Sequence, residues 1–205
     1  MRVEPHAAIS PSAIGPAKRE VPPRKTEVSV AEMRQALSKG YERLTGKAPP
    51  ARMLDVLTAQ ASLETGSGKS MYNFNFGGIK GYGPSGLTAT CRTKEVLAGK
   101  EVEIRDGFRA YTSLDEGAFD YVKTLTRGKF SSAMSFAEVG NVDGFAHSLK
   151  EAGYYTAPEE KYAAALRRHA NIAAKEAGRP MLPPSLMGHE AMHEAAGAFT
   201  DPTET

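Results

Sequence analysis

Between residues 53 and 68 an apolar helical stripe runs into an acid. Met53, Leu57 and Ala61 stand four residues apart, and Glu64 follows three residues later. Those spacings share one face of an α-helix, so the chain must bury this helix and end its core-facing stripe on a carboxyl group. Gly66 and Gly68 stop the helix just beyond it. Glu64 is therefore expected in the last turn, near the negative end of the helix macrodipole. An acid in that place suits a cleft better than a solvated face. Partial burial and the dipole both disfavour its ionised form, which predicts a raised pKa. A carboxylic acid still protonated near neutrality can donate a proton, which is what opening a glycosidic bond requires.

The 205 residues suffice for one domain with a real core plus tails. Charged residues make up 24% and the net charge is +2, which argues against a dedicated nucleic-acid binder. Cys91 is the only cysteine, so no intramolecular disulfide can form. No stretch approaches the ~18 apolar residues of a membrane span. The opening residues, Met-Arg-Val-Glu-Pro-His, lack the apolar core of a secretory signal. A substrate outside the cytoplasm would therefore call for a dedicated secretion system, a flagellar route or release by phage lysis.

Prolines at 5, 11, 16, 22 and 23 make residues 1–27 read as a disordered leader, and those at 180, 183, 184 and 202 make 179–205 read as a mobile tail. Residues 28–178 read as one compact domain. A helix is predicted from Ser29, with Ser29 and Glu32 as a capping box and Met33, Leu37, Tyr41 and Leu44 as its stripe. Residues 66–86 are rich in glycine and aromatics and read as loop. Leu87, Ala89 and Cys91 alternate with polar residues, as do Val102 and Ile104, and Ala98-Gly99 lies between these runs. That pattern predicts a small antiparallel hairpin. Ser113 and Glu116 suggest a second capping box, before a helix that buries Phe119, Val122 and Leu125. Shorter helices are expected at 131–139 and 142–151. A last helix opens at Pro158, carries Tyr162, Leu166, His169 and Ile172 on one face, and ends at Gly178. The fold class is α+β, mainly α, with one hairpin lobe.

Several stretches resemble the glucosaminidase branch of the lysozyme-like peptidoglycan hydrolases, the type found in flagellar rod-associated muralytic proteins and autolysins. Ala-Gln-Ala-Ser-Leu-Glu-Thr-Gly-Ser-Gly at 59–68 is similar to the family's catalytic helix end. Asn-Phe-Asn-Phe-Gly-Gly-Ile-Lys at 73–80 resembles its Asn-x-Phe-Gly-Ile-Lys element, with an extra glycine. Residues 93–99 resemble a hairpin that carries a second acid, and Phe108-Arg109-Ala110-Tyr111 with Asp120-Tyr121 resembles the run into the next helix. Ala-Gly-Tyr-Tyr-Thr-Ala-Pro at 152–158 matches Ala-Gly-Tyr-x-Thr-x-Pro, whose tyrosine lines the cleft. The resemblance covers residues 30–178. Two positions depart from it: Ser67 stands where many relatives have Trp, and a glycine is added at 77–78.

The resemblance implies cleavage of peptidoglycan glycan strands, with endo-β-N-acetylglucosaminidase activity as the expectation. Muramidase or lytic transglycosylase specificity and a non-catalytic wall-binding scaffold are the alternatives. Glu64 is expected as general acid, Glu95 as the second carboxylate and Tyr154 as a cleft tyrosine facing the acid. Glu101, Glu103 and Asp106 are rivals of Glu95 on the same hairpin. Tyr72, Phe76, Tyr82 and Tyr155 are candidates to stack on sugars, and Asn73 and Asn75 to bond N-acetyl groups; core packing and loop capping are the competing uses. No cofactor or metal is expected. The cell wall or periplasm is the implied place of action, and a secretion or flagellar component or an immunity protein the implied partner.

Two further patterns are set aside. His189-Glu190-Ala191-Met192-His193 has the zinc-protease spacing, but it follows Pro183-Pro184 in a short tail with no core to hold a rigid helix. Cys91 with His147 or His169 is a nominal nucleophile pair, but Cys91 fits the inward face of a strand, where a lone cysteine is inert.

Overall fold

The computed structural model describes residues 15–97 and 100–180, with backbone alone over 93–97 and 100–101. Helix α1, Val30–Thr45, starts where a true capping box forms. The Glu32 amide donates to Ser29 Oγ at 3.2 Å, and the Ser29 amide donates back to Glu32 Oε2 at 2.8 Å. Gly46, at φ 75°, ends it. Helix α2, Ala51–Glu64, is the centre of the domain: it packs against α1, against α4 (Ser131–Val139) and against α6 (Glu159–Glu176). Three neighbours leave it no solvent face, and residues 53–62 are all buried. The single stripe expected from sequence therefore understates the burial, which takes in Asp55, Thr58, Gln60 and Ser62 as well. Each of the first three has partners: Arg34 and Arg179 flank Asp55, Thr58 donates to the Leu54 carbonyl at 2.6 Å, and Gln60 bonds two tyrosines.

Helix α3, Leu114–Thr126, packs on α1 and buries Tyr121, Val122 and Leu125. Its cap is only half a box. Ser113 Oγ accepts from the Glu116 amide, but the Glu116 carboxylate turns to the Thr112 amide at 2.8 Å and to the hydroxyl of Ser85. Glu116 thus ties the helix start to the preceding glycine loop. Helices α4 and α5 (Val142–Glu151) coincide with their predicted spans. Helix α6 starts after Pro158 as expected, yet its buried face is Tyr162, Ala163, Leu166, Ala170, Ala173 and Ala174, with Ile172 left 45% exposed. Alanines allow α6 to approach α2 closely, so small residues, rather than His169 and Ile172, complete that face.

Strands β2, Leu87–Leu97, and β3, Lys100–Arg109, form the expected antiparallel hairpin, with Leu97 opposite Lys100; the turn at 98–99 lies outside the described residues. A short strand β1, Arg19–Glu20, adds in parallel to the free edge of β2. This corrects the leader expected over 1–27. Residues 19–27 form a strap along the domain, with the Arg19, Val21 and Thr26 amides donating to Gly86, Thr88 and Met71 carbonyls at 2.8–2.9 Å. The prolines that suggested disorder suit an extended edge segment, where only some amides need partners. Residues 1–14 lie outside the described residues. At the other end Arg179 pairs with buried Asp55, so the packed body reaches past 178; the rest of the tail, from 181, lies outside the described residues.

Candidate functional site

Glu64 is the last helical residue of α2. Beyond it the chain reverses through three left-handed residues, Gly66, Ser67 and Gly68, at φ 57°, 57° and 83°. The Ser67 amide donates to Ser62 O at 2.7 Å, and the Ser70 amide to Thr65 O at 2.8 Å, closing the turn. A side chain on Gly68 would collide with the Val28 carbonyl, so the strap and this turn need glycine there. Ser67 holds its left-handed conformation at the position where the family resemblance expects Trp.

Glu64 keeps one side open to water, while protein surrounds the rest of it. Burial raises its pKa above the usual carboxylate value, and a hydrogen bond from Tyr162 partly opposes that rise. The Tyr162 hydroxyl donates to Glu64 Oε1 at 3.0 Å. Tyr162 in turn accepts from Gln60 Nε2 at 3.4 Å, and Gln60 Oε1 accepts from the Tyr121 hydroxyl at 2.5 Å. Burial, with the Glu64 charge adding to it, pushes Tyr121, Tyr154 and Tyr162 well above the ordinary phenol value. All three remain neutral hydroxyls across any working pH. The carboxyl therefore has a neutral hydroxyl as its hydrogen-bond partner, with no cation paired to it among the described residues.

Of the residues expected in the site, Tyr154 is near enough to Glu64 to feel its charge. Its proton is committed to the Gly77 carbonyl at 3.1 Å, so it holds the loop rather than presenting a free donor. Position 77 has room for glycine alone. A Cβ on Gly77 would lie 2.5 Å from Tyr154 Oη and 2.9 Å from Tyr121 Cε2. Tyr155 stacks flat on Tyr162, with centroids 3.8 Å apart at 11°, and donates to the Ala146 carbonyl at 3.0 Å.

Three expected sugar-binding residues have other employment. Phe76 is fully buried and packs 5.9 Å from Tyr121, so it is core. Asn75 is 7% exposed and spends its whole amide on the loop: Nδ2 donates to Ile79 O and Arg109 O, and Oδ1 accepts from the Gly77 and Ile79 amides. Asn73, 8% exposed, bonds the strap through Pro22 and Arg24. These two asparagines staple loops because backbone groups reach them before any ligand can. Tyr72 and Tyr82 do stay exposed, at 45% and 44%. Tyr72 lines a groove with Pro23, Thr90, Cys91, Arg92 and Arg105, and Tyr82 carries the Lys18 ammonium 5.1 Å over its ring. Glu95 sits in β2 opposite Val102; its side chain is outside the described atoms.

Sequence reading missed Gln60, Tyr121 and Tyr162 as site residues. One signal was available: Gln60 precedes Glu64 by four, so the two share a helix face. Tyr121 read only as part of the run into α3, and Tyr162 only as part of the apolar face of the last helix. At the base of the hairpin, Arg109 Nη1 meets Asp120 Oδ2 at 2.7 Å and Tyr111 donates to the same oxygen at 2.9 Å, which fixes β3 to α3. Among the described residues no group of three or more His, Cys, Asp or Glu could hold a metal, and the His189–His193 pattern lies outside them. Among the same residues no helix is long and apolar enough to cross a membrane.

The fold is a helical domain with a hairpin lobe and an acid at the end of its central helix. The catalytic domain of the autolysin Auto from Listeria monocytogenes has this fold: TM-score 0.52, 24% identity, over 73% of this chain and 87% of that one. The Glucosaminidase family, described as mannosyl-glycoprotein endo-beta-N-acetylglucosaminidase, matches residues 51–175, and the chain belongs to that family. The peptidoglycan hydrolase FlgJ of Pseudomonas aeruginosa is 37% identical over 112 residues, which is 50% of this chain and 28% of that protein. FlgJ of Vibrio cholerae is 33% identical over 123 residues, 53% of this chain and 36% of its own length. The match thus spans about a third of these relatives.

Proposed function

We propose that this chain cleaves peptidoglycan glycan strands as an endo-β-N-acetylglucosaminidase, with Glu64 as general acid. The observation that carries the reading is the Glu64 carboxyl itself, ending a helix buried over residues 53–62, kept toward its protonated form by burial and hydrogen-bonded by a neutral tyrosine. Membership of the Glucosaminidase family and likeness to proteins named peptidoglycan hydrolase support the substrate. In the reaction Glu64 gives its proton to the glycosidic oxygen. The bond from that oxygen to the anomeric carbon breaks, its electron pair stays on the oxygen, and positive charge develops on the sugar ring. In this reading Glu95 supplies the second carboxylate, which stabilises that charge or activates water. Tyr154 keeps the Gly77 loop in place beside the acid. The cell wall is the proposed place of action, and association with a flagellar or secretion apparatus is the proposed setting.

Digestion of purified sacculi tests this. Mass spectrometry should find products with N-acetylglucosamine at the reducing end. Glu64→Gln should lower the rate by about 100- to 10,000-fold, the usual worth of a general acid, while still binding sacculi. Anhydro-muramic ends, or a Glu64→Gln variant that clears sacculi as fast as the parent, refute the proposal.

A further inference from the structure

The hydrogen bonds behind Glu64 have a direction. Tyr121 can only donate to Gln60 Oε1, because a carbonyl oxygen has no proton to give. The Gln60 NH2 faces α6 and donates to Tyr162 Oη at 3.4 Å. A hydroxyl that accepts on one side is left with its own proton to place, and the Tyr162 proton goes to Glu64 Oε1. The bonds run in one direction, from α3 through α2 and α6 to the acid. Gln60 is fully buried and Tyr121 is 1% exposed, so no solvent competes for the first bond. Tyr155, stacked on the Tyr162 ring, holds that ring in plane.

We propose that Tyr121, Gln60 and Tyr162 are positioning residues that form a one-way relay, occupying Glu64 Oε1 as an acceptor and leaving Oε2 as the oxygen that carries and delivers the catalytic proton. This rests on the reading of Glu64 as general acid. Oε2 makes no hydrogen bond among the described residues, whereas a proton on Oε1 would point at a donor. Without the relay the Tyr162 proton could turn to Gln60, and either oxygen of Glu64 could hold the acid proton. Among the described residues, the groups around Glu64 are Gln60 of α2, Tyr121 of α3, Tyr154 after α5 and Tyr162 of α6, all uncharged near neutrality.

The test is the pH profile of kcat/KM on sacculi for the full chain and two variants, with thermal melting as the check on folding. The acid must be protonated to act, so activity falls as pH rises through the Glu64 pKa. Tyr162→Phe keeps the stacked ring and removes the one bond that favours the ionised acid. Its alkaline limb should move up by about one pH unit, which is what a hydrogen bond to a carboxylate is worth. Tyr121→Phe frees the Gln60 amide to turn, so its limb should move in the same direction by a smaller amount, although Tyr121 makes no hydrogen bond to Glu64. If either folded variant keeps the parental limb while Glu64→Gln is inactive, the relay is wrong and the acid stands. If Glu64→Gln is fully active, the failure belongs to the functional reading beneath it.

Discussion

Arg24 and Asn73 hold each other by a reciprocal pair of bonds: the Arg24 amide donates to Asn73 Oδ1 at 2.9 Å, and the Asn73 amide donates to the Arg24 carbonyl at 2.8 Å. Asn73 Nδ2 adds a third, to Pro22 O at 3.2 Å. Asn73 and Phe74 stand together in the left-handed region, at φ 47° and 55°, a conformation that a bulky Phe resists. Thr26 Oγ1 accepts from the Phe74 amide at 2.9 Å, so the strap stabilises the turn from both sides. Asn73→Ala removes the side-chain bonds and the residue best suited to that φ. It is expected to cost about 2–3 kcal/mol, read as a lower urea midpoint. Removing residues 1–27 should lower the melting point for the same reason, and an unchanged midpoint would show that the strap holds nothing.

Gly77 and Gly78 make a matched pair of controls. Gly77→Ala sets a methyl against Tyr154 Oη and Tyr121. One of them must move, at about 1–3 kcal/mol of overpacking, and activity on sacculi should fall with stability. Gly78 has open space around it but φ 58°. Gly78→Ala should cost only the left-handed backbone, about 1 kcal/mol, and leave activity near parental. Equal effects at the two positions would remove the special role given to Gly77.

Glu64 should also leave its mark on stability. Its pKa is raised above the ordinary 4.5 in the folded protein. The folded state therefore binds that proton more tightly than the unfolded one. Its contribution is fully present below the unfolded value and is lost as pH rises through the folded pKa. Glu64→Gln has no charge to bury, so it should melt about 1–2 °C above the parent near pH 8 and level with it near pH 4. A variant that melts lower at both pH values would contradict the burial argument. An acid site that destabilises its own fold is the expected signature of a group kept for chemistry.

The helices were legible in the sequence because each announces itself locally. Ser29 and Glu32 bond across three residues, and the spans of α4 and α5 need nothing beyond their own periodicity. The hairpin was legible from its alternation. Glu64 was legible because the stripe that buries a helix and the glycines that end it lie within sixteen residues of one another. Asn75 and Phe76 were misread, since a loop asparagine satisfied by its own backbone and one open to a ligand are spelled alike.

By itself, then, the sequence determined the helical pattern, the hairpin, the acid and the family likeness, all of them set by short-range spacing. Tertiary structure alone decided what surrounds that acid. Tyr121 lies 61 residues from Gln60, and Tyr162 lies 98 from Glu64. Their meeting depends on α3 and α6 being brought to α2 by the packing of the whole domain, where alanines on α6 let two backbones close and glycine at 77 makes room for Tyr154. Contacts of that range follow from packing, which no local pattern encodes.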